Sequence, residues 1–126
     1  MALIVQKFGG SSVKDAEHLR NVADIVTGTY KNGNDVVVVV SAQDKAKEIN
    51  RNPSKREMDQ LLTAGEQISA SLLAMTIEDL GYPVVSLLGW QAGFSTSTAY
   101  GSARIKRVNP ERIKAELSKR NIVVVT

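Results

Sequence analysis

The sequence predicts an α/β fold: an α-β-α sandwich around a mainly parallel sheet, incomplete at its C-terminus. Three observations carry this expectation. Apolar runs at Leu3 to Phe8, Val36 to Val40, Val84 to Leu88 and Ile122 to Val125 alternate with longer stretches of helical periodicity. The second run is five consecutive valines. A strand with water on one face alternates polar and apolar residues, so an unbroken β-branched run belongs to a strand covered on both faces. The first three runs lead into small or polar residues, giving candidate sites at Lys7 to Ser12, Ser41-Ala42 and Gly89 to Gly93. Those positions are the carboxyl ends of the strands, where open α/β sheets hold their ligands.

The elements follow in order. After the Gly9-Gly10 turn, Ser11 and Ser12 are good helix N-caps. Ala16, Leu19, Val22, Ala23, Val26 and Tyr30 then recur at three- and four-residue steps, predicting an amphipathic helix over 14–31 that Asn32-Gly33-Asn34 stops. Residues 44–52 are polar and mixed, a helical turn leading into a loop. Ser54 and Glu57 form a capping box, starting a helix that runs to Leu80 and ends at Gly81-Tyr82-Pro83. A Ser/Thr-rich loop over 95–98 leads to Tyr100-Gly-Ser-Ala-Arg-Ile105. Asn109-Pro110-Glu111 opens a last helix through Arg120, before the fourth strand. A buried strand at the very end leads us to expect that the chain stops inside its domain.

Composition removes whole classes of function. The 126 residues are 43% hydrophobic and 23% charged, close to the globular average, which excludes wholesale disorder and collagen-like or coiled-coil character. Without cysteine there is no disulfide scaffold, thiolate metal site or Cys nucleophile. One histidine, His18, leaves no His–His metal site. Carboxylate clusters with metal-ligand spacing are missing as well, so no protein metal site is expected. A Ser hydrolase is disfavoured, since no Gly-x-Ser-x-Gly elbow occurs. The net charge of +3 is scattered, with doublets only at Lys55-Arg56 and Lys106-Arg107, and a nucleic-acid partner is not expected. The N-terminus lacks a signal-peptide pattern and no apolar run approaches the roughly 20 residues of a membrane span. The expectation is a soluble, cytoplasmic protein.

Three places carry chemistry. Lys7-Phe8-Gly9-Gly10-Ser11-Ser12 fits neither a Walker A motif nor a dinucleotide fingerprint. Its glycines nonetheless let a backbone approach phosphate, the following helix N-terminus offers N–H groups, and Lys7 can present an ammonium. On local sequence alone an ordinary tight turn with an exposed lysine is equally open. Glu66 shares a helix face with Leu62, Leu73 and Ile77, beside Gly65. A carboxylate on an apolar flank is costly unless paired, which points to a cation or ammonium partner; a glutamate reaching water from the stripe's edge is the alternative. Arg104 follows a Gly/Ser-rich stretch and has the fork geometry for a carboxylate, although its local surroundings equally suit a solvated arginine. Trp90 is expected to pack rather than wall a pocket, and His18 to lie at the surface near Asp15.

These residues together resemble the aspartate kinases of the amino-acid kinase family. Lys7-Phe-Gly-Gly-Ser-Ser12 is similar to that family's opening Lys-Phe-Gly-Gly-Thr-Ser. The likeness continues through Val36-Val-Val-Val-Val-Ser-Ala42, Leu62-Thr-Ala-Gly-Glu-Gln-Ile-Ser69, Gly89-Trp-Gln-Ala-Gly93, Tyr100-Gly-Ser-Ala-Arg-Ile105 and Asn109-Pro-Glu-Arg-Ile113. The resemblance implies ATP-dependent phosphorylation of the β-carboxylate of L-aspartate, the first step toward lysine, threonine and methionine. It implies that Lys7 is catalytic and that Lys7, Phe8, Gly9, Gly10 and Ser11 bind ATP, with Mg²⁺ accompanying the nucleotide. Ser41 would line the site between ATP and aspartate, Glu66 would take the substrate ammonium and Arg104 a substrate carboxylate.

The expected partners are therefore L-aspartate and ATP, with a homo-oligomer for the full-length protein. Residues 1–126 are expected to be the N-terminal portion of the catalytic domain, without regulatory ACT domains. Alone they are expected to be inactive and poorly soluble, with strand 122–125 exposed on one side. Three departures stand out. Ser11 replaces Thr, the loop after Gln43 is short by several residues, and Lys106-Arg107 stands where the family often has Asp. Another amino-acid kinase with a different acyl acceptor, or a noncatalytic nucleotide-binding module, is the alternative.

Overall fold

The structure, a computed structural model, describes residues 2–41, 52–96 and 105–126, with 94–96 and 105–108 described by backbone alone. The elements are β1 (Leu3–Phe8), a 3-10 turn (Gly10–Val13), α1 (Ala16–Lys31), β2 (Asp35–Val40), α2 (Lys55–Asp79), β3 (Val84–Leu87), β4 (Phe94–Thr96), β5 (Ile105–Val108), α3 (Glu111–Ser118) and β6 (Ile122–Val125). Four strands form one sheet in the order β1-β2-β6-β3, and every pairing within it is parallel. The predicted α/β sandwich is therefore the observed one.

Alternation along each strand decides which helix covers which face. On one face, Val36, Val38 and Val40 of β2 and Ile122 and Val124 of β6 pack with Leu19, Val22, Ala23 and Val26 of α1 and with Ala70, Leu73 and Ile77 of α2. On the other, Val37, Val123, Val125 and Leu87 meet Ile113 and Leu117 of α3. The valine run of β2 is needed because both faces are covered.

Two sequence expectations about the strands are corrected. The last strand is not left open: β6 lies between β2 and β3, and Ile122 to Val125 are all buried. In the sheet, the exposed apolar side chains are on β1 instead. This strand is at the margin of the described sheet, and Leu3 and Val5, in register with Asp35 and Val37, are 58% and 62% exposed and belong to neither core cluster. Lys7 shares that alternation and is exposed as well, so it does not end a fully buried strand. The second correction concerns 94–108. Read as loop followed by an unassigned segment, it contains an antiparallel pair, β4 with β5, whose register shifts between Ser95 and Thr96.

The helix boundaries show which capping residue wins. Ser11 and Ser12 do not cap α1; both lie in the 3-10 turn. Asp15 is the cap, its carboxylate accepting from the His18 amide at 2.8 Å and contacting His18 Nδ1 at 2.7 Å. That amide bond and the His18 ring hold the Asp15 carboxyl below its ordinary value. Ser54 caps α2 as expected, accepting from the Glu57 amide at 3.3 Å. Both α1 and α2 stop on a left-handed glycine, Gly33 at φ +89 and Gly81 at φ +87.

The amino ends of the strands are tied together on the side away from the candidate site. The Tyr30 hydroxyl donates to the Arg120 carbonyl at 2.8 Å, the Tyr30 and Tyr82 rings meet edge to face at 5.8 Å, and Arg120 pairs with Asp35 at 2.8 Å. Nearby, buried Glu116 accepts from Asn121 at 2.8 Å and from Arg112 at 3.2 Å, bonds that keep its carboxyl below the ordinary range.

Candidate functional site

Parallel strands present all their carboxyl ends along one edge, and the chain brings several of the expected residues there. Phe8 pairs in register with Val40, and the Ser41 amide donates to the Phe8 carbonyl at 3.2 Å. Ser41 is thereby fastened beside the Lys7-to-Gly10 turn. Lys7 stands opposite Val39 with its side chain exposed, while Phe8 packs its ring on the core beneath the turn.

The turn itself is tight. The Ser12 amide donates to the Gly9 carbonyl at 3.0 Å, and Val13 is fully buried, anchoring the turn from below. Gly9 has an ordinary φ of −76, and beyond its chain neighbours no atom of the described residues lies within 4 Å of where its Cβ would be. Neither backbone strain nor a neighbour within the described residues requires glycine there. Open space over a glycine next to a lysine suits the close approach of a phosphate. The helix that directly follows Gly9 is the 3-10 turn, which has no side-chain cap, whereas α1 starts at Ala16 with its His18 amide taken by Asp15.

Glu66 is on α2, which runs antiparallel to the strands. From Asp79, near the start of β3, to Glu66 the helix rises about 20 Å at 1.5 Å per residue. That matches the length of a six-residue strand at roughly 3.3 Å per residue, so Glu66 stands level with the carboxyl edge of the sheet. It is half-buried, and burial raises its carboxyl above the ordinary value. The expected buried-edge carboxylate is present, and among the described residues no cation pairs with it. Arg104 and Ala42 lie outside the described residues, as does the short segment after Gln43.

The third turn at this edge, after β3, was undervalued by the sequence. Gln91 accepts from the Leu88 amide at 2.9 Å, and Gly93, at φ +99, lies against Asn109, whose amide donates to the Gly93 carbonyl at 2.7 Å. A Cβ at Gly93 would overlap the Asn109 carbonyl. This contact locks the turn to the residue preceding α3. Trp90 does not pack as expected; it is 72% exposed on the same turn. A lone tryptophan reads as core by composition, and only the turn geometry lifts it out. Among the described residues no three His, Cys, Asp or Glu side chains gather to hold a metal. No helix among them is long and apolar enough to cross a membrane.

Residues 2–126 match the Amino acid kinase family. The chain belongs to that family. An aspartokinase of Bacillus sp. (strain MGA3) is 52% identical over 133 residues, covering 99% of this chain and 32% of the relative. An aspartokinase of Geobacillus stearothermophilus is 50% identical, covering 99% of this chain and 33% of the relative. The chain thus spans about a third of the length of the curated relatives it matches. The 133 matched positions exceed the chain's 126 residues, so the relatives carry residues that this chain lacks. Among solved structures, an aspartate kinase from Synechocystis superposes with a TM-score of 0.75 at 37% identity, covering 98% of this chain and 21% of that one. A UMP kinase from Ureaplasma parvum superposes at 0.71 with 12% identity, covering 98% of this chain and 54% of that one, and shares the fold.

Proposed function

We propose that residues 1–126 are the N-terminal part of the catalytic domain of an aspartate kinase, which transfers the γ-phosphoryl group of ATP to the β-carboxylate of L-aspartate. The observation that carries the reading is the identity of about half the positions with aspartokinases across 99% of the chain. The meeting of the Lys7 turn, Ser41 and Glu66 at one sheet edge supports it. In the reaction a β-carboxylate oxygen attacks the γ-phosphorus, the bond to the bridging oxygen breaks, and ADP leaves with that electron pair. The products are 4-phospho-L-aspartate and ADP.

Phosphoryl transfer of this kind needs positioning and charge stabilisation more than covalent chemistry. Lys7 places an ammonium where negative charge spreads over the transferring group. Phe8, Gly9, Gly10 and Ser11 form the backbone turn on which the phosphates rest, and the open space over Gly9 admits them. Mg²⁺ bound with the nucleotide would supply further neutralisation of the phosphate charge. Ser41 lines the gap between the two substrates, Glu66 takes the aspartate ammonium and Arg104 a carboxylate. The parent protein is a cytoplasmic homo-oligomer on this reading, supported by exposed Leu61, Ile68, Leu72 and Met75 along one face of α2. Residues 1–126 alone are inactive and self-associate through the bare Leu3 and Val5 surface of β1.

An acceptor screen on the full-length parent protein tests the activity. With ATP and hydroxylamine as acyl-phosphate trap, hydroxamate should form with L-aspartate and not with glutamate, N-acetylglutamate or carbamate. Preference for another acceptor, or no ADP release with any, overturns the reading.

A further inference from the structure

Five helical hydroxyls among the described residues share one habit, and a buried one does not follow it. Thr27, Thr29, Thr63, Thr76 and Ser118 each donate back to the carbonyl four residues earlier, at 2.7 to 3.1 Å. Ser69 of α2 is only 1% exposed, yet its Oγ has no hydrogen-bond partner among the described residues. A buried hydroxyl without a partner is destabilising, because it has given up water for nothing. Alanine at this position would suit the apolar stripe better.

Its position on the helix suggests what the hydroxyl is for. Leu62, Glu66, Ser69 and Leu73 follow one another at steps of three and four residues along one stripe of α2. Leu62 is 39% exposed, Glu66 half-buried, and Leu73 fully buried, so the stripe sinks into the core below Glu66. Ser69 is the first buried position beneath the carboxylate, one turn away on the same side. Side chains three apart on a helix are neighbours, with Cβ atoms about 5–6 Å apart. A carboxylate has two oxygens and accepts only, whereas a serine hydroxyl donates one hydrogen.

We propose that Ser69 is a positioning residue for Glu66. When the substrate ammonium engages one carboxylate oxygen, the Ser69 hydroxyl donates to the other, fixing the Glu66 rotamer and favouring its ionised form. The idle hydroxyl is thus preorganised for the ligand-bound state. This inference rests on the reading of Glu66 as the ammonium partner.

A double-mutant cycle on the full-length parent protein tests it, read as kcat/KM at subsaturating aspartate. Ser69→Ala should raise the aspartate KM about 3- to 10-fold, the size of one lost hydrogen bond, with kcat and the ATP KM unchanged. Its thermal midpoint should stay level or rise, since an unpartnered hydroxyl has been removed. Ser69→Cys, similar in size but a weaker donor, should fall between. In a Glu66→Ala background Ser69→Ala should cost nothing further. An equal loss in both backgrounds, or no loss from Ser69→Ala alone, overturns the proposal and leaves the Glu66 reading standing. If Glu66→Ala itself leaves the aspartate KM untouched, the ammonium reading fails and the proposal falls with it.

Discussion

Arg120, at the sheet end opposite the candidate site, separates backbone strain from side-chain contact. Its φ of +63 is left-handed, which costs a non-glycine residue about 1 kcal/mol. The guanidinium offsets this through contacts that include Asp35 at 2.8 Å, the Asn34 carbonyl at 3.3 Å and the Tyr30 ring with its centroid at 4.4 Å. The Arg120 and Asp35 side chains are 37% and 27% exposed, so solvent screens the pair to roughly 0.5–1 kcal/mol. Stacking on Tyr30 adds about as much. Arg120→Ala loses these contacts and keeps the strain, so it should destabilise by about 1–2 kcal/mol. Arg120→Gly loses the same contacts but relaxes the backbone, and should be about 1 kcal/mol more stable than the alanine variant. Equilibrium urea unfolding of the full-length protein measures both, and the aspartate KM should be unchanged in each. Equal midpoints for the alanine and glycine variants would refute the strain argument. Midpoints equal to the parent's would refute the contacts.

Two further predictions concern the site edge. Glu66→Gln should raise the aspartate KM on the order of 10- to 100-fold, the size of a charge-assisted bond, while ATP affinity stays nearly intact. Because burial lifts the Glu66 carboxyl above its ordinary 4.5, the parent's aspartate KM should begin to climb, as pH falls, while still above that value. The sign for stability is opposite: a raised carboxyl stabilises the fold when protonated and loses that contribution as pH rises through its folded value. Glu66→Gln should therefore unfold at higher temperature than the parent at pH 7, with the difference vanishing in acid, as calorimetry across pH would record. Gly93→Ala combines a left-handed φ with overlap on the Asn109 carbonyl and should cost more than about 2 kcal/mol. An unfolding midpoint within error of the parent's would show that the turn is not locked there.

The sheet was legible because its strands are short, apolar and separated by helical stretches, and the valine run announced cover on both faces. Strand order was not, since periodicity says nothing about where a returning strand inserts, and β6 enters between β2 and β3. The start of α1 was misplaced because Ser11, Ser12 and Asp15 all have capping chemistry; the buried Val13 pulls the first two into a 3-10 turn and leaves Asp15 to cap. β4 and β5 are short and Ser/Thr-rich at their junction, with a register shift that breaks any alternation. Of the site, Glu66 was legible as a carboxylate on an apolar stripe, and Lys7 and Ser41 as strand-end residues. Ser69 was not singled out, and Gly93 only as the end of the Gly89 to Gly93 turn, because their significance lies in an unpartnered Oγ and a backbone contact that a one-dimensional pattern does not contain.

The most direct test of phosphoryl transfer at the β1 turn is the kcat of Lys7→Ala in the full-length protein, with L-aspartate and MgATP both saturating. Lys7 is exposed on a marginal strand and belongs to no core cluster, so its removal should leave the fold intact. Losing one preorganised cationic donor where charge develops should cost about 3 kcal/mol, on the order of a 100-fold fall in kcat, with far less change in the aspartate KM. An unchanged kcat would contradict the account.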